Sequence, residues 1–186
     1  MRLENSFDVA APIDKAWLLL NDIPRVVTCM PGAELTETVD DDNWRGVVHV
    51  KLGPMALQFG TDVNREQVDG TAHRVVLATK ARELRGRGSA QATIESSLRE
   101  AEGRTNVEIV TELTLQGAVA QYGRGIVPQV AAQLTKQFAA NIAELLDRED
   151  EPPEQVASPA PVVPVGGVRL GVRALLASVA RLFRRR

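Results

Sequence analysis

Hydrophobic and polar residues alternate over most of the first 115 positions, with the two-residue period of a strand that is buried on one face. In the segment 44–52, for example, apolar side chains stand at Trp44, Val48, Val50 and Leu52. Short turns interrupt the alternation, and turns of hairpin length join antiparallel strands. The pattern therefore predicts seven antiparallel strands, at about 3–9, 34–39, 44–52, 57–63, 74–79, 85–99 and 105–115.

Three helices complete the predicted domain. Pro12 favours a helix start, which predicts helix Ile13–Asn21, and a second short helix is predicted at 22–29, ended by Pro31 and Gly32. From Val119 to Leu146 apolar residues recur at helical spacing, which predicts one long helix, although three glycines and Pro128 weaken its first part. A curved seven-stranded antiparallel sheet wrapped on a long C-terminal helix, with two short helices, is the α+β helix-grip fold.

The end of the chain, residues 168–186, is a basic amphipathic segment with six arginines and no acidic residue. On a helical wheel its apolar side chains occupy roughly a third of the circle. Such a helix lies flat on an anionic membrane, and its six charges exclude a membrane span. The predicted membrane-binding residues are Arg169, Val172, Arg173, Leu175, Leu176, Val179, Arg181, Leu182, Phe183, Arg184 and Arg185.

An acidic, proline-rich segment, residues 149–167, precedes this tail and contains five prolines and no basic residue. Because that composition keeps a chain extended, the sequence predicts a helix-grip ligand-binding domain at 1–148, a flexible linker at 149–167 and a tail at 168–186 that associates with the membrane as a basic amphipathic helix. The linker argues against packing of the tail on its own domain. A groove on a partner protein is the other surface that such a helix would fit.

Charge and cysteine content limit the partners and the cellular location that we expect for the protein. The domain is mildly acidic, whereas proteins that bind nucleic acid carry clustered basic residues, so we do not expect this protein to bind DNA or RNA. Cys29 is the only cysteine, which excludes an internal disulfide and a thiolate metal cluster. The N-terminus lacks the basic run and apolar core of a signal peptide. We expect a cytoplasmic protein that is peripheral on the inner face of the cell membrane.

Several motifs resemble those of one protein family. They are Phe7-Asp8-Val9, Pro12, Trp17, Asp22, Cys29-Met30-Pro31-Gly32, Val50-Lys51-Leu52-Gly53-Pro54, Gly117 and Tyr122-Gly123-Arg124-Gly125. With these motifs in this order of elements, residues 1–147 resemble the carbon monoxide dehydrogenase CoxG family, of the START/polyketide-cyclase-like (SRPBCC) superfamily. The resemblance implies a partner of a carbon monoxide dehydrogenase or a related molybdenum hydroxylase. It also implies membrane association and a bound quinone.

Catalytic and metal-binding motifs are not found in the sequence. His49 and His73 are predicted to face outward or to lie near a turn, and no zinc-protease, paired-cysteine or nucleophile-elbow motif is present. The run Asp40–Asp42 is predicted to be a solvated hairpin tip. We therefore assign no catalytic residue and no metal ligand, and we expect the protein not to be an enzyme.

A cavity between the sheet and the long helix is predicted because small residues should line it and only seven aromatic residues serve the whole chain. Protein interiors are densely packed, so such a space either collapses or holds a lipophilic guest. The small residues are Gly46, Ala90, Ala92, Gly117 and Gly123. The predicted ligand-binding residues are Val48, Val50, Leu57, Phe59, Val107, Ile109, Tyr122, Ile126, Val130, Leu134 and Phe138. Tyr122 would donate a hydrogen bond to a quinone carbonyl, and the apolar residues would otherwise be plain core.

Taken with the resemblance, these features predict a carrier that moves a prenylquinone, menaquinone or ubiquinone, between the membrane and a carbon monoxide dehydrogenase-type molybdenum enzyme. The bound quinone would be its only cofactor, and anionic lipids its membrane partner. The alternative is a membrane recruitment or assembly factor for the dehydrogenase that transports no ligand. A cyclase or hydrolase of the superfamily is a third possibility, but the sequence lacks an evident acid/base pair.

Overall fold

A curved antiparallel sheet and one long helix form the main body of the chain. The computed structural model describes residues 1–53, 55–122 and 125–150, without the side chains of the last two. The strands are β1 (Arg2–Val9), β2 (Ala33–Thr38), β3 (Asn43–Leu52), β4 (Met55–Asp69), β5 (Arg74–Glu83), β6 (Gly88–Ala101) and β7 (Arg104–Gly117). The helices are α1 (Ile13–Asn21), α2 (Ile23–Val26) and α3 (Val127–Asp150), with 3₁₀ turns at Val27–Cys29 and Ala118–Tyr122.

The sheet has the strand order β1-β7-β6-β5-β4-β3-β2, and every neighbouring pair is antiparallel. The first strand thus pairs with the last, and α1 and α2 fill the connection that leads to the opposite edge. Irregular register in β2, between Leu35 and Glu37, and in β4, between Arg65 and Gln67, adds local bends. The predicted helix-grip architecture is confirmed.

The long helix begins later than the sequence predicts. A continuous helix from Val119 is wrong, because residues 118–122 form a 3₁₀ turn and α3 starts at Val127. Gly117 ends β7 with φ of +74°, a conformation that favours glycine and turns the chain out of the sheet. Pro128 then occupies the first turn of α3, where its missing N–H costs no helical hydrogen bond. The helix reaches Asp150, two residues past the predicted domain limit at 148.

The predicted second short helix is divided into α2 and a 3₁₀ turn. Asp22 separates it from α1, since its carboxylate accepts a hydrogen bond from the backbone N–H of Arg25 at 3.2 Å and caps α2. The 3₁₀ turn brings Cys29 to α3, where Asn141 Nδ2 donates to the Cys29 carbonyl at 2.9 Å. This bond ties the short helices to the second half of the long one.

The end of α1 is held to the sheet by the guanidinium of Arg65. It donates to the carbonyls of Asn21 (3.1 Å) and Asp41 (2.7 Å) and to Oδ1 of Asp42 (2.8 Å). It also lies 5.1 Å from the ring centroid of Trp44, within the range of a cation–π contact. The hairpin tip at Asp40–Asp42 is exposed, as predicted, and Arg65 joins it to α1.

Candidate functional site: the space between the sheet and the long helix

The inner face of the sheet, the face that carries Phe59 and Val107, has small residues at its centre. One cross-strand row consists of Gly46, Thr61, Ala81 and Ala90, each in register with the next. The neighbouring row consists of Val63, Thr79 and Ala92. All seven are only half-buried although they face inward. Because inward residues in a filled core are buried, these rows are not fully covered by other parts of the described chain.

Apolar cores lie on both sides of these rows. The first cluster joins β1, β6, β7 and the short helices to the second half of α3, and its buried members are Val9, Ala11, Ala16, Leu19, Cys29, Leu98, Val107, Phe138, Ile142 and Leu146. The second cluster lies at the start of α3, and its buried members are Leu52, Leu57, Phe59, Val119 and Val127. The interior is therefore packed at its two ends. Of the small-residue rows, Ala81 packs against the second cluster, whereas Val63, Ala90 and Ala92 belong to neither cluster.

Hydroxyl groups in the small-residue rows are directed to the backbone. Thr61 Oγ1 donates to the carbonyl of Phe59 at 3.4 Å, and Thr79 Oγ1 donates to the carbonyl of Ala92 at the same distance. The wall that remains is formed mainly by methyl groups and alkyl side chains. A guest in contact with it would be apolar, since such a wall leaves few polar partners for a ligand.

The structure divides the predicted ligand-binding residues between the two clusters. Val107, Ile109 and Phe138 belong to the first cluster, where Phe138 meets Phe7 edge to face at 5.7 Å between ring centroids. Val48 and Leu134 belong to neither cluster and are half-buried. The second cluster contains Val50, Leu57, Phe59, Tyr122, Ile126 and Val130. Six of the eleven predicted residues thus lie in the second cluster, against which Ala81 of the small-residue rows also packs.

Two polar side chains of the second cluster's surroundings, Tyr122 and Arg87, meet at the thioether of Met55. The Tyr122 hydroxyl donates to Met55 Sδ at 3.6 Å, and Arg87 Nη1 approaches the same sulfur at 3.8 Å. Because a thioether is a weak acceptor, both donors remain able to form a stronger hydrogen bond. The predicted donor Tyr122 therefore lies in an apolar cluster with a second donor beside it.

Glu83 is a buried carboxylate that the sequence interpretation missed. It ends β5 in register with Phe59, so it lies on the inner face, and only 2% of its surface is exposed. Its Oε2 accepts hydrogen bonds from the backbone N–H groups of Arg85 (2.9 Å) and Arg87 (3.0 Å). The signal was present in the alternation, because Leu77, Thr79 and Ala81 place Glu83 on the same inward face.

Hydrogen bonds keep this carboxylate ionised. The backbone N–H of Arg87 makes the largest contribution to lowering the pKa of Glu83, burial opposes it, and the N–H groups of Arg85 and Gln58 add to the lowering. An ionised carboxylate only accepts hydrogen bonds. Its other oxygen, Oε1, is buried and receives no hydrogen bond from the described part of the chain.

The match to a family model decides what kind of protein this geometry belongs to. Residues 6–147 match the model of CoxG, a subunit family of carbon monoxide dehydrogenase. Of the sheet and α3, the match leaves out only the first residues of β1 and the last three residues of α3. The chain belongs to the CoxG family. The predicted resemblance is confirmed, and the family name associates the chain with carbon monoxide dehydrogenase.

Solved structures similar to this CoxG chain share its fold. A conserved protein from Geobacillus kaustophilus is 16% identical, with a TM-score of 0.71 over 80% of this chain and 97% of that one. The Zhui aromatase/cyclase from Streptomyces sp. R1128 is 14% identical, with a TM-score of 0.58 over 80% and 94%. Norcoclaurine synthase from Thalictrum flavum is 12% identical, with a TM-score of 0.56 over 78% and 86%.

Two of these three neighbours carry the names of enzymes. At such identities the likeness concerns the fold alone, and one fold supports both ligand binding and catalysis. No curated protein matches the CoxG chain at the sequence level.

The two histidines of the CoxG chain lie near different acidic residues. His49 is about half exposed, with Nε2 3.9 Å from Glu34 Oε1. His73 is more covered than predicted, because its ring packs edge-on against Trp17 at 5.4 Å and its Nε2 lies 3.7 Å from Asp14 Oδ1. Among residues 1–53, 55–122 and 125–150, no group of three or more histidine, cysteine or acidic side chains is arranged to hold a metal ion.

Two surface pockets of the CoxG chain lie away from the predicted ligand-binding residues. One, of about 500 Å³, is formed by Trp17 and Asn21 of α1 with Asp42 and the end of β4. The other, of about 440 Å³, lies along β3 to β5, where Arg45, Asp62 and Lys80 form one outward register row. Both have charged walls, so neither suits the lipophilic guest that the sequence predicts.

The glycines predicted to line the cavity have further backbone roles. A Cβ on Gly46 would lie 2.6 Å from the carbonyl oxygen of Glu34, and one on Gly117 would lie 2.9 Å from the Cα of Gly88. Close approach of neighbouring strands thus requires both glycines. Gly123 lies outside the described residues.

The linker beyond Asp150 and all predicted membrane-binding residues, Arg169 to Arg185, also lie outside the described part of the chain. Within that part, no helix is long and apolar enough to cross a membrane.

Proposed function

We propose that this CoxG-family protein is a non-enzymatic carrier that binds a prenylquinone, menaquinone or ubiquinone, between its sheet and α3. It would move the quinone between the membrane and a carbon monoxide dehydrogenase-type molybdenum enzyme. The observation that supports this proposal most directly is the pair of small-residue rows, which stay half-buried on the inner face beside the second cluster. A flat apolar ring system with a prenyl chain has the chemistry that such a wall accommodates.

The two hydrogen-bond donors at Met55 support a quinone as the ligand rather than a simple lipid. A quinone head group carries two carbonyl oxygens, and the side chains of Tyr122 and Arg87 supply hydrogen-bond donors that, among the described residues, meet only the thioether of Met55. Exchange of a weak sulfur acceptor for a carbonyl oxygen strengthens these bonds. The redox chemistry would belong to the quinone, and the protein would contribute burial and positioning.

Membrane contact is proposed from the sequence of the tail. An arginine close to an anionic surface contributes about 1 kcal/mol, so the arginines of residues 168–186 would support reversible binding. A proline-rich linker of the composition of residues 149–167 would let the domain leave the surface while the tail remains bound. Delivery of a membrane-soluble cargo needs a contact of this reversible kind.

Extraction of lipids from the purified full-length protein, followed by mass spectrometry, tests the carrier proposal. A stoichiometric prenylquinone in the extract is the expected result. A protein that carries no quinone, binds none when it is offered in detergent and still binds the dehydrogenase would contradict the carrier and support the recruitment or assembly factor.

Truncation after Glu151 tests the role of the tail. The truncated protein is expected to retain the quinone and to lose sedimentation with vesicles that contain phosphatidylglycerol. Vesicles of phosphatidylcholine alone serve as the control for the charge dependence. Sedimentation of the truncated protein with anionic vesicles would show that the membrane contact lies elsewhere.

A further inference from the structure

The carboxylate of Glu83 is a strong hydrogen-bond acceptor in a place where the quinone hypothesis calls for donors. Its side chain is buried, one oxygen accepts two backbone N–H bonds, and the other has no hydrogen bond of normal geometry within the described residues, although the N–H of Gln58 also acts on the carboxylate. A buried ionised oxygen without a hydrogen bond is costly, because it has lost water and gained no donor. A ligand that brings a donor to Oε1 would remove this cost.

A chain of contacts connects Glu83 to the proposed head-group site. Its Oε2 accepts from the N–H of Arg87, the Arg87 side chain reaches Met55, and Met55 accepts from Tyr122. The register partner of Glu83, Phe59, belongs to the second cluster together with Tyr122. The carboxylate acceptor and the two donors thus lie at the same end of the interior.

The two redox forms of a quinone differ in what they offer to these groups. The oxidised form has two carbonyl oxygens, which only accept hydrogen bonds, whereas the reduced form has two hydroxyls, which both donate and accept. A carbonyl oxygen beside the Glu83 carboxylate would be repelled. A hydroxyl there would form a charge-assisted hydrogen bond, which is among the stronger hydrogen bonds in proteins.

We propose that Glu83 makes this site bind the reduced, hydroxyl-bearing form of its ligand more tightly than the oxidised form. This inference rests on the proposed quinone-binding function and adds to it the redox state that the protein prefers to hold. Tyr122 and Arg87 serve either form as donors, so discrimination falls to the acceptor. A carrier with this preference would collect the product of quinone reduction and retain it until the membrane takes it up.

Binding of menadione and of anaerobically prepared menadiol to the full-length protein tests this preference. A hydrogen bond to a charged group is expected to give menadiol an affinity about ten- to a hundredfold higher than that of menadione. The comparison requires only the wild-type protein. Equal affinities would overturn the inference and leave the carrier proposal standing, whereas a protein that binds neither form would overturn both.

The variant Glu83→Gln provides the second arm. Its amide oxygen can keep the two backbone hydrogen bonds, and its NH₂ group then presents a donor where the carboxylate presented an acceptor. The preference is therefore expected to reverse in favour of menadione. Glu112→Gln, on the exposed side of β7, is the matched control and should leave the affinity ratio unchanged. A purely structural role of Glu83 in the β5–β6 turn would alter stability but would not reverse the ratio.

Discussion

The hydroxyl of Tyr122 donates to the Sδ atom of Met55 at 3.6 Å, across the gap between the 3₁₀ turn that precedes α3 and the start of β4. The bond joins two segments that are 67 residues apart in sequence and packs the ring within the second cluster. Because the acceptor is a thioether, the hydrogen bond is weak, and the hydroxyl can still donate to a stronger acceptor. The geometry suits a residue that can exchange this sulfur for a better acceptor.

Replacement of Tyr122 by phenylalanine should therefore separate stability from binding. The ring and its packing remain, and loss of a weak hydrogen bond should change the free energy of unfolding by less than about 1 kcal/mol. Affinity for menadione should fall about five- to tenfold, measured by titration of the intrinsic fluorescence. Met55→Leu is the control, since it removes the sulfur acceptor and keeps the hydroxyl. Unchanged affinity in Tyr122→Phe would exclude the hydroxyl from the binding site.

Enlargement of Ala92 to leucine tests for open space between the clusters. In a filled interior the added carbons would cost about 1–3 kcal/mol of stability. Beside a cavity they should change the free energy of unfolding by less than about 1 kcal/mol and should greatly reduce quinone binding. Urea denaturation and ligand titration give the two values. Ala56→Leu, at an exposed position of β4, should alter neither. A large loss of stability in Ala92→Leu would show that the interior is already filled.

Gly88 should be intolerant of any side chain. Its φ is +142°, and a Cβ would lie 2.1 Å from the carbonyl oxygen of Gln116 and 2.9 Å from Cγ2 of Val119. Gly88→Ala is expected to lower the free energy of unfolding by about 2 kcal/mol or more, because backbone atoms must move apart. Gly70→Ala, where a Cβ would meet nothing within 4 Å, should stay within about 0.5 kcal/mol of wild type. Urea denaturation of the two variants checks the contrast.

The contribution of Glu83 to stability should depend on pH in a defined direction. Folding lowers its pKa, chiefly through the N–H of Arg87. The ionised group therefore stabilises the fold fully above the pKa of an unfolded glutamate, about 4.3. That stabilisation is lost as the pH falls through the lowered pKa of the folded state.

The difference in unfolding free energy between wild type and Glu83→Gln should accordingly be larger at pH 7 than at about pH 3. Urea denaturation at the two values measures it, and carboxylates that the proteins share, such as Glu95 and Asp40, cancel in the comparison. A difference that grows on acidification would contradict the direction of the pKa shift.

Much of the fold could be predicted from local patterns. Alternation identified the seven strands and their inward residues, but β4, predicted at 57–63, extends over Met55–Asp69, and β5 and β6 needed correction at their ends. The start of α3 could not be placed this way, because Val119 and Tyr122 continue the helical spacing of apolar residues although they lie in a 3₁₀ turn. Gly117 and Pro128 indicated the break, but hydrophobic periodicity outweighed them.

The sequence by itself determined which residues face inward, because a side chain alternates between the faces of a strand whatever lies opposite. Only the tertiary structure decided what each inward residue meets. It packed Phe138 and Val107 into one cluster, Phe59 and Tyr122 into another, and left Ala90 and Ala92 half-buried outside both. It also placed the Glu83 carboxylate on the inner face beside Phe59. These outcomes depend on the curvature of the sheet and the position of α3, which arise from contacts between segments distant in the chain.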